Sequence, residues 1–363
     1  MKVLIIGPFP EPINGCSYAN KVLFDNLIQK GEIVKKINTS TQNLSSSQGT
    51  TFSILKALSF LKVYLEAYKV INSNVVYLTP GQTFFGVLKY APFVLLSMVF
   101  KKSYVIHVHG NYLSTEYQML KGVKKRIFKF LLKNASAGIV LSELLKGNFK
   151  NILDDSKVFI VNNFVGDNLI KAYSLEKKCK DIPRILYLSN LMSQKGILDL
   201  LEALVILKNE GLEFTAKLAG NIENSILNEV DEKLQILKDH ISFLGLVKGD
   251  HKIKILIESN IFILPTYYVM EGQPISILEA MATGNIIVTT PHAGIPDIMG
   301  SKNGFFVETK NPRQIADCLT KISQNLSDNV LLFSDYNANY ARVNFTELNF
   351  SNAILNIFKA IKY

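Results

Sequence analysis

YVMEGQPISILEAMATG (residues 268–284) separates two short apolar runs, IFILPT at 261–266 and NIIVTT at 285–290. Each run has the length and composition of a buried β-strand. The segment between them carries apolar residues at helical spacing over 275–283. A strand, a loop, a helix and a second strand in this order predict a parallel β–α–β unit.

The same alternation of apolar runs and amphipathic segments extends over most of the chain. The predicted strands lie at 2–7, 75–80, 104–110, 138–142, 158–163, 184–190, 214–220, 241–247, 261–266 and 285–290. The predicted helices lie at 17–30, 52–72, 84–100, 116–134, 196–210, 223–238, 251–260, 275–283, 312–325 and 333–363. Two such series predict an α/β fold of two facing Rossmann-like, doubly wound domains. The regular spacing of apolar residues is lost over 166–183, which predicts the domain boundary there.

Positive charge is concentrated in the first half of the chain. Residues 1–165 contain 20 Lys and Arg against 8 Asp and Glu, whereas residues 166–363 contain 20 against 22. The basic half predicts an anionic partner, either phosphate groups or an acidic membrane surface. Nucleic acid is not favoured, because zinc-finger spacing and aromatic-basic RNA signatures are both absent from the sequence. Three scattered cysteines and an N-terminal run too short for a signal peptide predict a cytoplasmic protein with reduced thiols.

Two strand-to-helix junctions of the first half are candidate ligand contacts, because ligands bind beyond the carboxyl ends of such strands. The loop at 7–17 lacks a GxGxxG fingerprint, so Gly15 belongs either to an ordinary loop or to a backbone segment that approaches a ligand. His107 and His109 alternate where a strand ends, which predicts diverging side chains and no shared metal. We expect one histidine to be buried and hydrogen-bonded, and His109, nearer the loop, to face the cleft.

Two features of the second half predict a phosphate site. Lys195 and Gly196 precede a helix, where an ammonium group is unfavourable unless an anion lies between it and the helix. Helix amides and Lys195 together can hold a phosphate, although the alternative is a solvated loop lysine. Pro274 suits a first helical position, which leaves the amides of the next turn free for phosphate oxygens.

The carboxylates of the opening stretch, Glu271 and Glu279, are predicted to bracket a ligand and not to form a paired acid and base. Glu279 lies about one and a half turns into the helix, within reach of a ribose attached to that phosphate. Glu271 lies in the loop and can address the other side of the phosphate. This layout matches the ribose, diphosphate and hexose of a nucleotide sugar.

EGQPISILEAMATG, followed by VTTPHAGIPDIMGSKNGFFVE, resembles the E-x7-E region of retaining glycosyltransferases of family 4, which have the GT-B fold. HVHG, LYLSN…KGILDLLEAL and FLGLV also occur in the order expected for that family. The resemblance implies a bacterial polysaccharide-assembly hexosyltransferase that takes a nucleotide sugar, UDP-linked, and needs no metal or other cofactor. It also implies a final helix that crosses back, giving an acceptor-binding domain at 1–165 plus about 336–363 and a nucleotide-sugar-binding domain at 166–335.

The resemblance also assigns roles to individual residues. Glu271, His109 and Lys195 are implied at the reacting centre, with Glu279 on the ribose and Leu246 near the base. The implied donor-binding set is Gly15, Asn190, Lys195, Leu246, Glu271, Gly272, Gln273, Pro274, Ile275 and Glu279. The chain departs from the family at Ser189-Asn190, where many members have Gly-Arg, so either slower chemistry or a substitute cation is expected. Two alternatives share the nucleotide site: a UDP-sugar epimerase, and a catalytically silent nucleotide-sugar binding protein.

The segment KGVKKRIFKFLLKN (121–134) is the candidate acceptor-side or membrane-side helix. The spacing predicts one apolar side formed by Leu120, Val123, Ile127, Phe130 and Leu131. The lysines lie largely opposite, so the helix either packs on its sheet with solvated lysines or faces an anionic membrane through Lys121, Lys124, Lys125 and Lys129. The apolar run at 84–100 is short for a spanning helix. We therefore expect peripheral attachment at the inner face of the cell membrane and a lipid-linked saccharide acceptor.

Overall fold

The structure, a computed structural model, describes residues 1–40 and 61–361. It divides the chain into two compact units, Met1–Asn163 with Glu347–Tyr363, and Phe164–Thr346. The predicted divisions lie after residue 165 and near residue 336, whereas the structure divides the chain after Asn163 and after Thr346. The part of the predicted helix at 52–72 that precedes residue 61 lies outside the described residues.

The first unit is built on a six-stranded parallel sheet in the order β2-β1-β3-β4-β5-β6. Its strands are β1 (Lys2–Gly7), β2 (Ile33–Asn38), β3 (Val75–Leu78), β4 (Ser103–His107), β5 (Ala137–Val140) and β6 (Val158–Ile160). The helices before residue 163 that lie wholly within the described residues are α1 (Gly15–Gln29), α2 (Phe84–Leu88), α3 (Ala91–Val99), α4 (Leu113–Met119) and α5 (Gly122–Lys133). All four residues of β3 and of β5 are buried, because helices cover both faces of a parallel sheet.

The second unit repeats this plan with the strand order β12-β11-β10-β7-β8-β9, again parallel. Its strands are β7 (Arg184–Leu188), β8 (Thr215–Ala219), β9 (Ile241–Phe243), β10 (Ile261–Leu264), β11 (Ile286–Thr289) and β12 (Gly304–Phe306). Its helices are α6 (Asp167–Ala172), α7 (Ile197–Asn209), α8 (Leu227–Ile236), α9 (Gly249–Glu258), α10 (Ile275–Ala282), α11 (Pro312–Gln324) and α12 (Leu326–Asn344). The opening stretch of the sequence thus forms the loop and helix between β10 and β11, and the predicted α/β class is confirmed.

The last helix, α13 (Glu347–Ala360), belongs to the first unit. Its Phe358 ring packs on Tyr77 of β3 with ring centroids 5.7 Å apart, and its Phe350 ring lies 6.2 Å from that of His107. The expected return of the final helix to the first unit is therefore confirmed.

Three predicted helices are each divided in two. The run at 84–100 breaks into α2 and α3, because Pro92 is confined to the first turn of a helix and lies at the start of α3. The run at 116–134 breaks before Gly122, which has a positive φ of 55°. The segment at 333–363 breaks at Phe345, whose carbonyl accepts a hydrogen bond from the Val165 amide.

Candidate active site

The loop between β10 and α10 lies at the centre of the second sheet, at the carboxyl ends of its strands. The loop that follows β11 braces it through three contacts. His292 Nε2 lies 2.8 Å from the Tyr268 carbonyl oxygen, the Gly294 amide donates to the Gly272 carbonyl at 3.0 Å, and Thr290 Oγ1 donates to the Thr266 carbonyl. The backbone of 266–272 is therefore held on one side before any ligand binds.

Glu271 is buried in this loop, with 7% of its surface exposed. Its Oε2 accepts hydrogen bonds from Lys195 Nζ at 2.5 Å and from Thr266 Oγ1 at 3.1 Å. The Lys195 ammonium also lies 5.0 Å from the centroid of the Tyr268 ring. A buried carboxylate is stable only when paired and hydrogen-bonded, and both conditions are met here. The sequence predicted both residues in the site but did not predict that they pair with each other.

Lys195 occupies the end of a short turn immediately before α7, as expected. The next residue, Gly196, caps α7 with a φ of 76°, and a Cβ added there would lie 2.2 Å from the Pro265 carbonyl oxygen. Glycine is required on both counts, because other residues rarely adopt this φ and the two loops approach too closely for a side chain. The Tyr267 amide donates to the Gln194 carbonyl at 2.8 Å. The Lys195 turn and the Glu271 loop are thus fixed to each other.

Glu279 lies on α10 with 6% of its surface exposed. Its Oε1 accepts a hydrogen bond at 2.6 Å from Lys252 Nζ, in the first half of α9. Sequence reasoning missed Lys252. The sequence could have indicated it, because Lys252 lies near the start of a predicted helix. The helix dipole disfavours a positive charge there unless an anion is nearby, as at Lys195.

The start of α10 differs from the prediction. Pro274 is the N-cap, with an extended ψ of 117°, and the first helical residue is Ile275. The Ile277 amide bonds back to the Pro274 carbonyl at 3.2 Å. The predicted phosphate site at this end therefore depends on Ile275 and the loop residues before it, Gly272 and Gln273. Gln273 is itself buried, with 3% exposure.

Two further predicted donor residues lie in loops at the same edge of the sheet. Asn190 follows β7, and its carbonyl accepts a hydrogen bond at 3.0 Å from the Tyr187 hydroxyl, which also lies 3.5 Å from the Lys195 carbonyl oxygen. Burial, with a smaller effect from the charge of Glu271, raises the pKa of Tyr187 well above its usual value, so Tyr187 stays a neutral donor. Leu246 follows Gly245 (φ 61°) in the loop after β9 and is 59% exposed.

The two histidines of the first unit do not diverge as predicted. Their rings stack with centroids 4.1 Å apart and planes 28° apart, because β4 ends at His107 and strand alternation no longer applies beyond it. His107 is buried and its Nδ1 lies 2.5 Å from the Tyr77 hydroxyl, as expected for one of the pair. Both ring nitrogens of His109 are buried without a hydrogen-bond partner among the described residues, and burial lowers its pKa to about 4.

Gly15 is the first residue of α1, two residues before the predicted start. Asn14 caps this helix by accepting a hydrogen bond from the Ser17 amide at 3.0 Å, while the Asn14 amide donates to Ser17 Oγ at 2.9 Å. The reciprocal bonds form a capping box, which fixes where the helix begins.

The helix α5 also departs from its prediction. Its buried residues are Phe128, Leu131 and Leu132, so within the helix the predicted apolar side is wrong except at Leu131, while Leu120 precedes the helix and is half-buried. Val123, Ile127 and Phe130 are exposed by 67%, 37% and 44%. A groove of about 740 Å³ runs beside them, lined by Tyr117, Gly122, Lys125, Arg126, Ile127, Lys129, Phe130 and Lys133. The solvent side of α5 is therefore both apolar and basic.

No group of three or more His, Cys, Asp or Glu side chains in residues 1–40 and 61–361 is arranged to hold a metal ion. Over the same residues, none of the helices is both long and apolar enough to cross a bilayer.

Among known protein families, residues 182–325 match the family Glycosyl transferases group 1. A relative from Erwinia amylovora, amylovoran biosynthesis glycosyltransferase AmsK, is 30% identical over 152 residues, which are 40% of this chain and 37% of that protein. The N,N'-diacetylbacillosaminyl-diphospho-undecaprenol alpha-1,3-N-acetylgalactosaminyltransferase of Campylobacter jejuni is 27% identical over 59% of this chain and 57% of its own. The chain thus spans less than two thirds of either relative.

Solved structures match the chain over nearly its whole length. The structure of Anabaena Alr3699/HepE in complex with UDP superposes with a TM-score of 0.72 and 16% identity, covering 99% of this chain and 100% of that one. This likeness shows the fold. Residues 182–325 therefore match the family Glycosyl transferases group 1, within a chain that has the GT-B fold.

Proposed function

We propose that this protein is a retaining, metal-independent hexosyltransferase of cell-surface polysaccharide synthesis. It moves a hexose from a nucleotide diphosphate sugar, UDP-linked, to a saccharide acceptor that is lipid-linked. Two lysine–carboxylate contacts support this most directly. Lys195 pairs with Glu271 in the loop before α10, and Lys252 pairs with Glu279 on α10. All four residues lie within the part of the chain that matches the family.

The donor is proposed to bind by exchanging partners with these groups. The diphosphate brings negative charge to Lys195, whose ammonium pairs with Glu271 in the structure. Glu271 then accepts hydrogen bonds from hydroxyl groups of the hexose, next to the bond that breaks. Glu279, farther along α10, accepts hydrogen bonds from the ribose.

The transfer follows from this arrangement. The bond between the anomeric carbon and the diphosphate oxygen breaks through an oxocarbenium-like state, and negative charge grows on the leaving diphosphate. Lys195 and the amides at the start of α10 stabilise that charge, as preorganised donors do in other transfer enzymes. The acceptor hydroxyl attacks the same face, its proton passes to the leaving phosphate oxygen, and the anomeric configuration is retained. No side chain is needed as a base, and the cationic role of a metal falls to Lys195.

The acceptor and the location are proposed from the first unit. α5 and its N-cap combine three exposed apolar residues with exposed Lys121 and Lys124 and half-buried Lys125 and Lys129, a composition typical of helices that lie in a membrane interface. The exposed Phe85, Leu95 and Val99 of α2 and α3 add apolar surface in the same unit. The name of the Campylobacter jejuni relative includes a saccharide on diphospho-undecaprenol, which supports a lipid-linked acceptor. The enzyme would therefore act as a peripheral protein at the cytoplasmic face of the cell membrane.

The proposal predicts different effects for the two glutamates. Glu279→Ala should weaken the binding of free UDP by about tenfold, because a hydrogen bond from the ribose to a charged group is lost. Glu271→Ala should leave UDP affinity nearly unchanged and lower turnover of the UDP-sugar instead. Calorimetric titration with UDP and release of UDP from UDP-hexoses measure the two quantities.

The wild-type protein and one further variant serve as references. Glu258→Ala removes a carboxylate that pairs with Lys217 on the outside of the same unit, and it should change neither quantity. Equal losses of UDP affinity in the Glu271 and Glu279 variants would contradict the assigned roles. A wild-type protein that binds no nucleoside diphosphate would contradict the proposed donor.

A further inference from the structure

Lys252 of the second unit contacts Glu279, the residue proposed to bind the ribose. It lies near the start of α9, where the helix dipole disfavours a positive charge. Its side chain is 30% exposed and its ammonium reaches Glu279 Oε1 at 2.6 Å. Lys252 and Glu279 are 27 positions apart in the sequence, and their contact joins α9 to α10. The ammonium therefore has a buried anionic partner that offsets its unfavourable position.

Glu279 depends on this contact in turn. Its side chain is 8% exposed, and burying a carboxylate at such a depth is costly unless it is paired and hydrogen-bonded. The neighbouring helix supplies the ammonium that pairs with this carboxylate. Glu279 is thereby held as a strong hydrogen-bond acceptor.

The two oxygens of the Glu279 carboxylate differ in their surroundings. Oε1 accepts from Lys252, whereas no hydrogen bond to Oε2 is found within residues 1–40 and 61–361. Nor is Oε2 a fully buried atom without a partner, so it retains access to ligand or solvent. A carboxylate oxygen that is fixed in place and accessible suits a hydroxyl donor such as a ribose.

We propose that Lys252 is a positioning residue for ribose recognition: by binding Oε1 of Glu279 it presents Oε2 to a ribose hydroxyl of the donor nucleotide. The inference rests on the proposed nucleotide-sugar site. Lys252 itself touches neither the hexose nor the diphosphate. Its removal therefore affects the preference for ribose over deoxyribose and spares the rest of nucleotide binding.

The test is a titration of UDP, 2′-deoxy-UDP and 3′-deoxy-UDP into the wild type and Lys252→Met. We expect wild-type affinity for UDP to exceed that for at least one deoxy analogue by about tenfold, the effect of one hydrogen bond to a charged group. In Lys252→Met, UDP affinity should fall about tenfold while the affinity for that analogue changes little, so that the ratio approaches one. Lys252→Gln keeps a hydrogen-bond donor without the charge and should give an intermediate ratio.

Lys254→Met is the matched control, because Lys254 lies on the same helix, is 70% exposed and pairs with Glu258 at 3.8 Å. It removes the same charge and should keep the wild-type ratio. If Lys252→Met weakens all three nucleotides equally, Lys252 acts by general attraction of the diphosphate and the inference is wrong. It is also wrong if the ratio stays at its wild-type value. A wild-type protein that binds neither UDP, GDP nor ADP would overturn the proposed function, and with it this inference.

Discussion

Glu271 and Glu279 each pair with a lysine that belongs to a different loop or helix of the same unit. The sequence could predict that the two glutamates and Lys195 lie near helix starts, because rules for helix starts depend on local sequence alone. It could not predict either pairing. Residues 195 and 271 are separated by 76 positions, and their contact is set by how β7 and β10 lie side by side.

The histidine pair shows a local rule applied beyond its range. Alternation of side chains predicted that His107 and His109 diverge, but the rule holds only while the chain is extended in a strand. The strand ends at His107, and the two rings stack. Burial, together with the neighbouring His109, lowers the pKa of His107 well below its usual value, and burial lowers that of His109 to about 4.

These lowered pKa values predict a dependence of stability on pH. Between pH 6.5 and about 4 the unfolded chain binds a proton at His109 that the folded chain does not, so the free energy of unfolding falls as the pH falls. One such group contributes a slope of at most about 1.4 kcal/mol per pH unit in this window. His109→Gln should therefore show a shallower decline than the wild type. Urea unfolding at pH 7, 6 and 5 measures the difference.

His251→Gln is the control for this measurement, because His251 is exposed on α9. The free energy of unfolding of His251→Gln should fall as steeply as that of the wild type when the pH falls. Parallel curves for His109→Gln and the wild type would show that His109 titrates normally in the folded protein.

At the scale of the element, α5 is where sequence and structure differ most. Its helical period was predicted, yet the buried side was assigned to Val123, Ile127 and Phe130, which the structure leaves exposed. Apolar residues occur on both sides of this helix, so the sequence pattern fits two orientations. Only the packing of Phe128 and Leu132 against the rest of the unit selects one.

The exposed side of α5 predicts binding to anionic vesicles. Replacing Lys121, Lys124, Lys125 and Lys129 with Gln should remove roughly 4 kcal/mol of attraction, at about 1 kcal/mol for each charge near the surface. Replacing Val123, Ile127 and Phe130 with Ser should weaken the binding that remains at high salt, when exposed charges are screened. Co-sedimentation with vesicles that contain anionic lipid measures both effects.

A variant with the same change in charge controls for the overall charge of the first unit. Replacing the exposed Lys30, Lys35, Lys150 and Lys157 with Gln removes four charges outside α5 and should weaken binding far less. Equal losses in the two lysine variants would mean that α5 is not the membrane contact. Release of UDP from a UDP-hexose by the α5 lysine variant should persist, because that reaction needs only the donor site.

At the scale of the whole molecule, the two-sheet α/β plan could be predicted because its central strands are buried on both faces and read as apolar runs. Among the residues that the structure describes, the strands that were not predicted are β2 and β12, and both lie at sheet edges. β2 has the sequence IVKKIN, with exposed Lys35 and Lys36, and β12 is three residues long. An edge strand has one neighbour and less cover, so its sequence is polar enough to resemble a loop.

The central claim is that a nucleotide sugar is consumed by retaining transfer without a metal. The most direct measurement supplies isotope-labelled UDP-hexoses with a lipid-linked saccharide acceptor and an excess of chelator, and identifies the labelled product and its anomeric configuration by NMR. The account predicts label in the acceptor, in the anomeric configuration of the donor, at a rate that the chelator does not change. Label that remains in an isomeric UDP-sugar, an inverted product, or transfer that requires added magnesium or manganese would contradict it.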